Sequence, residues 1–549
     1  MTMLVGALSR AYMAAAAPAA RVLGGALDNP GRAQASVLRR IVTSNRDCAF
    51  GRAHGFSSIL NYTDFAKCVP IVDYEDLRPW VDRIRAGEVG VLTGERVSFL
   101  EPTGASSGAS KLIPYTRSLK REIARAVHPW IRDLLSGHPE LLDGRSYWAI
   151  SPPLRLGEQE RSAVPIGASH DLEYLPRAVG ALLDKSFVVP RAACEIDDLD
   201  AGRYVTLRAL LGAEDLAFIS VWNPSFLTLL VGRLDDWFER LVHDVERGAI
   251  SIALEPSLRE RLERRLPARP DVAARLRRFG SRPPDDLGEL WSRLAVISCW
   301  TDGHARRAVD ALRLRFPDVE IQGKGLIATE GVVSIPLARH PAPPAAVTSH
   351  FLEFVPEGGG DALPVDQIEE GYTYEVVITT GGGLYRYRLK DMVRVQGRVG
   401  RTPSLRFVGR VDATSDLCGE KLTPAFVERA LSAGSDTSGV RPAFALLSPR
   451  WGNPPSYDLW VELQPEDARL PERAERLADA IEAELRRAHH YDLCRALGQL
   501  GPLRARPINH GERAYERVCT QRGQRAGAVK PPALIADLEW SDVFEEVVT

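Results

Sequence analysis

The stretch from Glu101 to Thr116, EPTGASSGASKLIPYT, constrains the fold of this chain more than any other. A strand-like apolar run precedes it, and a helical pattern begins only after Pro114, because proline is disfavoured inside a helix. The loop between them consists of Gly, Ser, Thr and Ala and leads to Lys111. It predicts either a simple turn or a backbone cradle for phosphate. A Walker A loop is excluded, because Lys111 does not follow a glycine and Leu112 replaces the Ser or Thr that binds magnesium.

Short apolar runs and helical segments alternate after this loop. Tyr147 to Ile150, Tyr204 to Leu207 and Ala217 to Trp222 predict strands, whereas Ser118 to Leu135 and Phe226 to Val245 predict helices. Such alternation is typical of an α/β body with a largely buried sheet. The sequence therefore predicts the α/β class.

Two strands are predicted nearer the C-terminus. Tyr374 to Thr380 forms a plain apolar run that ends at three glycines. Leu384 to Lys390 alternates in hydrophobicity, which predicts a partly exposed strand with Arg386 and Arg388 on the same face.

A domain boundary is predicted near Val411, where the composition changes. At 549 residues the chain is too long for one small core. Pro424 to Ala433 and Pro471 to His489 predict helices around a compact unit. We therefore expect residues 1–410 to form a large multi-sheet N-terminal body and residues 411–549 a small α+β C-terminal domain.

Composition excludes several functional classes. The net charge is −2, which gives no reason to expect nucleic acid or an anionic membrane as a partner. No apolar run is long enough to span a membrane. The seven cysteines are scattered and never spaced as CxxC, which argues against a disulfide framework or a zinc site and favours a reducing, cytoplasmic location. Only eight of the 70 basic residues are lysines, so Lys111, Lys421 and Lys530 stand out.

Four further stretches follow the first loop in order. They are GKGLIATEGVVSIP at 323–336, SHFLEFVP at 349–356, TTGGGLYRYRLKDMVRV at 379–395 and FVGRVDATSDLCGEKLT at 407–423. In this order the five blocks resemble the plant acyl-acid amido synthetases, the auxin- and jasmonate-conjugating Gretchen Hagen family, and their bacterial relatives. That family belongs to the adenylate-forming superfamily, with acyl-CoA ligases and firefly luciferase.

The resemblance covers most of the chain and implies a ligase. Such an enzyme uses ATP and Mg²⁺ to convert a carboxylic acid into an acyl-adenylate with release of pyrophosphate. It then transfers the acyl group to an amine, which in this family is an amino acid. The implied partners are therefore a small carboxylic acid and an amine. Thioester formation of the acyl-CoA ligase type remains an alternative.

The resemblance assigns the first loop to the nucleotide phosphates. The residues that would grip the β- and γ-phosphates are Thr103, Ser106, Ser107 and Lys111. The chain departs from the family pattern here, because Pro102 stands in place of a serine and Ala105 in place of a threonine.

The resemblance also implies roles for four residues of the later blocks and for Lys530, which lies beyond them. Thr329 corresponds to the residue beside the α-phosphate and Glu330 to the glutamate that binds magnesium. Asp391 corresponds to the aspartate that holds both ribose hydroxyls, for which a bidentate acceptor is suited. Arg410 begins the hinge, and Lys530 corresponds to the catalytic lysine of the small domain.

Two positions depart from this pattern. Leu326 replaces an aromatic residue that stacks on adenine, and Lys390 stands where the family often has glycine.

Two other functional classes remain open. Gly104 to Gly108 fits the G-x-S-x-G elbow of serine hydrolases with Ser106 as nucleophile. An elbow requires a helix directly after the serine, however, and Pro114 interrupts the segment. The other class is a relative that binds nucleotide without catalysis.

Overall fold

The structure is a computed structural model of the chain. It describes residues 2–103, 111–149, 162–167, 186–302, 305–338, 340–411, 414–463, 470–511, 514–515, 517–518, 531–541 and 544–545. The chain divides into two compact units. The first comprises Met1–Pro102 and Leu112–Gly409, and the second comprises Thr103–Lys111 and Arg410–Thr549.

The helices before Arg410 are α1 (Thr2–Leu27), α2 (Pro30–Asn45), α3 (Ala49–Ala53), α4 (Tyr62–Cys68), α5 (Tyr74–Arg85), α6 (Arg117–Gly137), α7 (Leu199–Leu211), α8 (Pro224–Gly232), α9 (Leu234–Arg247), α10 (Pro256–Glu263), α11 (Pro270–Leu276) and α12 (Ala305–Arg315). The strands up to Arg410 are β1 (Phe99–Thr103), β2 (Lys111–Tyr115), β3 (Arg145–Trp148), β4 (Leu216–Ser220), β5 (Val296–Cys299), β6 (Glu320–Gly323), β7 (Ile327–Ala328), β8 (Gly331–Val332), β9 (Phe351–Pro356), β10 (Leu363–Pro364), β11 (Thr373–Thr379), β12 (Tyr387–Val399) and β13 (Thr402–Arg410).

A four-stranded parallel sheet has the order β3-β4-β5-β6. Its strands β4 and β5 are buried along their whole length, as expected for a parallel sheet covered on both faces. Its core includes Tyr204 from α7, Leu230 from α8 and Leu241 from α9. This sheet and its helices confirm the predicted α/β class.

A second, five-stranded sheet is antiparallel where β9, β11 and β12 pair, and has the order β10-β9-β11-β12-β13. Apolar side chains of β9 and β11 lie in the core that also contains α2, α5 and the start of α6. The predicted strand Tyr374 to Thr380 corresponds to β11 within one residue. The two sheets confirm a multi-sheet N-terminal body.

The C-terminal unit contains α13 (Pro424–Ser438), β14 (Phe444–Arg450), β15 (Ser456–Glu462), α14 (Leu470–Leu485), α15 (His489–Ala496) and β16 (Arg504–Pro507). Strand β15 pairs antiparallel with β14 and parallel with β16. The core of this unit includes Leu477 and Ile481 of α14, which are both fully buried. Its mixture of helices and a small mixed sheet agrees with the α+β prediction.

Two local predictions were wrong. Tyr204 to Leu207 belongs to α7 and is not a strand, because this helix is buried on nearly all sides and has no polar stripe that would reveal its period. The strand predicted from Leu384 begins only at Tyr387, and Arg386 has a φ of +47°. Consequently Arg386 is buried, whereas Arg388 is partly exposed.

Across the described residues, no helix is both long and apolar enough to cross a membrane.

Candidate functional site

The turn that carries Thr329 and Glu330 joins two short strands that form a hairpin. Strands β7 and β8 pair with Ile327 opposite Val332 and Ala328 opposite Gly331. At the end of β2, the hydroxyl of Tyr115 donates a hydrogen bond to the carbonyl oxygen of Thr329 at 2.7 Å. The strand that leaves the first loop is therefore tied directly to this turn.

Glu330 is nearly buried, with an exposed fraction of 9%. Within the described residues its carboxylate has neither a hydrogen bond nor an ion pair. Its oxygens are thus available to a ligand, and a divalent metal that prefers oxygen ligands suits them.

Close packing around Gly331 restricts the position of this turn. A Cβ atom at Gly331 would lie 2.8 Å from His350 Nε2 and 2.7 Å from Ile378 Cδ1, so no larger residue fits without a shift. His350 is fully buried, and its Nδ1 lies 3.1 Å from Glu122 Oε2. Within the described chain, His350 Nε2 has no hydrogen-bond partner.

Glu122, near the start of α6, connects two of the sequence blocks. Its carboxylate accepts a hydrogen bond from the backbone N–H of Gly381 at 2.8 Å, and its carbonyl oxygen accepts one from Ser349 Oγ at 2.8 Å. The hydroxyl of Thr116 also donates to the Gly381 carbonyl at 3.1 Å. The SHFLEFVP block and the three-glycine turn before β12 therefore meet at Glu122, and Thr116, which follows β2, is hydrogen-bonded to the same turn.

Asp391 lies in an irregular part of β12. Opposite β11, Glu375 pairs with Met392 and Val377 pairs with Arg388, so the residues between them form a bulge. Within this bulge Lys390 has a φ of +63°, in the left-handed region that favours glycine. A glycine would adopt this conformation without the strain that a side chain imposes. Asp391 is buried immediately after this strained residue, and such strain is concentrated at functional sites.

The remaining predicted site residues have the following places. Thr103 ends β1, Lys111 begins β2 and Arg410 ends β13. Ser106, Ser107 and Lys530 lie outside the described residues. The roles of all these residues therefore stay predictions.

Lys324 was not among the residues predicted from the sequence, yet it has the most unusual surroundings. It directly follows β6, and its Nζ donates a hydrogen bond to Ser220 Oγ at 2.7 Å. Three indole rings surround the same nitrogen, those of Trp130, Trp148 and Trp222. Burial lowers the pKa of Lys324 to about 7. Favourable cation–π contacts with the rings act in the opposite direction.

Comparison with known proteins decides the family. The model of the GH3 family N-terminal domain matches residues 21–321, which is more than half of the chain. The chain belongs to the GH3 family. The GH3 central-domain model matches residues 344–410, and the GH3 C-terminal-domain model matches residues 427–539. The predicted family is thereby confirmed.

Several curated GH3 proteins are similar to this chain. A probable indole-3-acetic acid-amido synthetase GH3.12 of Oryza sativa subsp. japonica is 26% identical over 69% of this chain and 68% of its own length. A probable indole-3-acetic acid-amido synthetase GH3.1 of Arabidopsis thaliana is 24% identical over 88% of this chain and 85% of its own. The jasmonoyl--L-amino acid synthetase JAR6 of Nicotiana attenuata is 23% identical over 74% and 73%, respectively.

Among solved structures, the AtGH3.15 acyl acid amido synthetase in complex with 2,4-DB shares the fold. It has a TM-score of 0.66 and 20% identity, and 96% of each chain is covered. All these GH3 relatives are named as ligases that join an acid to an amino acid or as amido synthetases, which is the enzyme class predicted from the sequence.

Proposed function

We propose that this chain uses ATP to activate a carboxylic acid as an acyl-adenylate and then transfers the acyl group to an amine, most simply that of an amino acid. In the first step a carboxylate oxygen attacks the α-phosphorus of ATP and displaces pyrophosphate. In the second step the amine attacks the acyl carbon, AMP leaves, and the amine loses a proton. The observation that carries this proposal is that all three GH3 domain models match the chain in order, from residue 21 to residue 539.

The proposed nucleotide contacts follow the sequence-derived roles. Thr103, Ser106, Ser107 and Lys111 would hold the β- and γ-phosphates, whereas Thr329 would lie beside the α-phosphate. Among the described residues the Glu330 carboxylate has no partner, so it suits Mg²⁺, which would supply charge neutralisation as pyrophosphate leaves.

Asp391 would hold the ribose. A carboxylate can accept from both hydroxyls of a cis diol, and the adjacent left-handed Lys390 fixes the direction of the strand at this point. This contact is the same before and after the transition state, so it would contribute to ATP binding more than to turnover.

The C-terminal segment would supply a positively charged side chain that is in the site during the first step and leaves it before the second. We propose that residues 411–549 act as a small mobile domain on a nucleotide-binding body of residues 1–410, with Arg410 at the hinge. Lys530 would then offset charge as the carboxylate attacks the α-phosphorus. Loss of one such contact typically lowers turnover by about two to three orders of magnitude. The Lys530→Ala variant is expected to lose adenylate formation while amide formation from a supplied acyl-adenylate persists.

The test is a pyrophosphate-release screen over a library of carboxylic acids. Each acid is supplied with ATP and Mg²⁺, alone, with pooled amino acids, or with coenzyme A. The expected result is acid-dependent formation of AMP and pyrophosphate, with an amide found by mass spectrometry only when amino acids are present. ADP as the nucleotide product would contradict the proposal.

The same screen separates the alternatives. A thioester in the coenzyme A reactions would identify an acyl-CoA ligase. Ester hydrolysis that needs no ATP and is lost in Ser106→Ala would identify a serine hydrolase. Nucleotide binding without pyrophosphate release would identify a non-catalytic relative.

We also propose a cytoplasmic location. Cys48, Cys299, Cys418 and Cys494 form no disulfide bond, as is usual in reducing compartments.

A further inference from the structure

The carboxyl edge of the parallel sheet brings a lysine and several indoles together. Trp148 is the last residue of β3, Ser220 the last of β4, and Lys324 follows the last residue of β6. Trp222 lies two residues beyond β4. In open α/β sheets, ligands bind in the crevice outside the carboxyl ends of the strands. Lys324 and these tryptophans therefore lie at the edge of the sheet where ligands bind in folds of this kind.

The amine of Lys324 is enclosed by polar and aromatic groups of different elements. Its Nζ lies 2.7 Å from Ser220 Oγ, and its distances to the ring centroids of Trp130, Trp148 and Trp222 are 5.3, 5.7 and 5.3 Å. The residue is only 2% exposed. In the described parts of the chain, no carboxylate lies within ion-pair distance of this nitrogen.

A buried amine without a counter-charge is costly for the fold. Buried charges in proteins are normally paired. The cost of removing an ammonium from water exceeds the interaction energy that one hydroxyl and several aromatic faces provide. An apolar side chain of the same length would fill the space without that cost. The cost is accounted for if an anionic ligand supplies the missing charge.

We propose that Lys324 Nζ binds one carboxylate oxygen of the acid substrate, and that the surrounding indoles select an acid with an aromatic ring. This inference rests on the proposed function and names the substrate class. The second carboxylate oxygen stays available to attack the α-phosphorus. Indole faces favour flat aromatic groups over saturated ones of the same size, and they offer nothing to a second carboxylate.

Trp222 is the part of this enclosure that opens to solvent. Its exposed fraction is 40%, which is high for tryptophan, and its ring centroid lies 5.9 Å from that of Trp300. Trp130, by contrast, is buried and donates a hydrogen bond from its ring nitrogen to Gln322 Oε1 at 3.0 Å. We therefore assign Trp222 to the entrance and Trp130 to the inner wall.

The affinity of this site for a carboxylate should depend on pH, because Lys324 titrates and few other ionisable groups act on it. Burial lowers its pKa to about 7. In the described chain, the only titratable group that acts on it is Cys299, whose own pKa burial raises to about 12, so this thiol stays neutral from pH 6 to 9. The elements that carry Ser220 and the three tryptophans contribute no ionisable group that acts on it. A bound carboxylate favours the ammonium form, so affinity should fall as pH rises above 7.

The first experiment measures binding without ATP. Tryptophan fluorescence is titrated with benzoate, phenylacetate and cyclohexanecarboxylate, using the natural chain, Lys324→Met and the exposed-lysine control Lys67→Met. The natural chain and Lys67→Met should bind an aromatic acid about fivefold more tightly than cyclohexanecarboxylate. Lys324→Met should weaken aromatic-acid binding about 10- to 100-fold, as for loss of a charge-assisted hydrogen bond. Unchanged binding in Lys324→Met would overturn the proposal.

A second experiment separates this inference from the proposed function. If pyrophosphate release is observed, Lys324→Met should raise the KM for the acid and leave the KM for ATP unchanged. If no acid supports pyrophosphate release, the proposed function fails, but the fluorescence titration still decides the binding site.

A third measurement needs no variant at position 324. In the natural chain the affinity for an aromatic acid should decline by up to about tenfold per pH unit above the Lys324 pKa. Constant affinity from pH 6 to 9 would contradict a role for this amine, even if Lys324→Met failed to fold. Trp222→Leu should abolish most of the preference for aromatic over saturated acids, and an unchanged preference would reject the role of the indoles.

Discussion

Replacing Lys324 by methionine should make the fold more stable, although it removes a residue that we assign to substrate binding. The pKa of Lys324 is lowered from 10.5 to about 7, chiefly by burial. Since one pKa unit corresponds to about 1.4 kcal/mol, this shift represents a penalty of roughly 4–5 kcal/mol at pH 7. Methionine has a similar volume and carries no charge.

Two favourable interactions of the lysine reduce the expected gain. The three indole contacts together contribute on the order of 2 kcal/mol, and the hydrogen bond to Ser220 about 1 kcal/mol. The net stabilisation expected for Lys324→Met at pH 7 is therefore about 1–2 kcal/mol. Differential scanning calorimetry of the natural chain, Lys324→Met and Lys67→Met would measure it as a rise in Tm confined to the first variant.

The pH dependence of this gain has a defined sign. Between about pH 7 and pH 10.5 the folded lysine binds fewer protons than the unfolded one, so the natural chain gains stability with rising pH over this window. The advantage of Lys324→Met should thus be largest at pH 7 and below and shrink towards pH 10. A natural chain that is more stable than the variant at pH 7, or a difference that does not change with pH, would refute the reasoning.

Three further predictions concern the Glu330 turn and β12. Gly331→Ala should displace the turn through its contact with His350 and lower the adenylation rate about 100-fold, whereas Gly24→Ala, at an open position, should retain activity; equal rates in both variants would contradict this. Lys390→Gly should stabilise the protein by about 0.5–1 kcal/mol without changing the KM for ATP, and Lys390→Val should destabilise it, as denaturant titration would show; a destabilised glycine variant would be the contrary result. Asp391→Ala should raise the KM for ATP about 10- to 100-fold with little change in kcat, and the reverse pattern in steady-state kinetics would exclude ribose binding.

The amphipathic helices could be predicted from the sequence. The apolar stripe from Ser118 to Leu135 corresponds to α6. This helix runs from Arg117 to Gly137, so it begins one residue earlier and ends two residues later than predicted. The predicted helix from Pro471 corresponds to α14, although it ends at Leu485, before His489. A helix with one polar face shows its period directly, so its position is reliable and only its ends are uncertain.

Segments without such a polar face could not be assigned. Tyr204 to Leu207 is β-branched and aromatic in composition, yet it lies within α7, where tertiary packing overrides local preference. Arg386 does not follow the predicted alternation of buried and exposed strand residues, because its backbone has a positive φ. Its guanidinium forms a buried ion pair with Glu353 at 2.8 Å. A partner so distant in the chain leaves no mark on local periodicity.

The candidate site shows the same division. Glu330 and Asp391 were identified through short motifs. The structure adds that the Glu330 carboxylate has no partner among the described residues and that Asp391 lies beside a strained residue. Lys324 and Glu122 were missed, because their surroundings are assembled from distant parts of the chain. Lysine is scarce in this arginine-rich chain, but that signal was applied to Lys111, Lys421 and Lys530 and not to Lys324.

The formation of an acyl-adenylate is tested most directly by isotope transfer. An acid that supports pyrophosphate release is prepared with ¹⁸O in its carboxylate and incubated with ATP, Mg²⁺ and amino acids. If a carboxylate oxygen attacks the α-phosphorus and the amine later displaces AMP, one ¹⁸O atom must appear in AMP and none in pyrophosphate. Unlabelled AMP, or ¹⁸O in inorganic phosphate with ADP as the second product, would contradict the proposed mechanism.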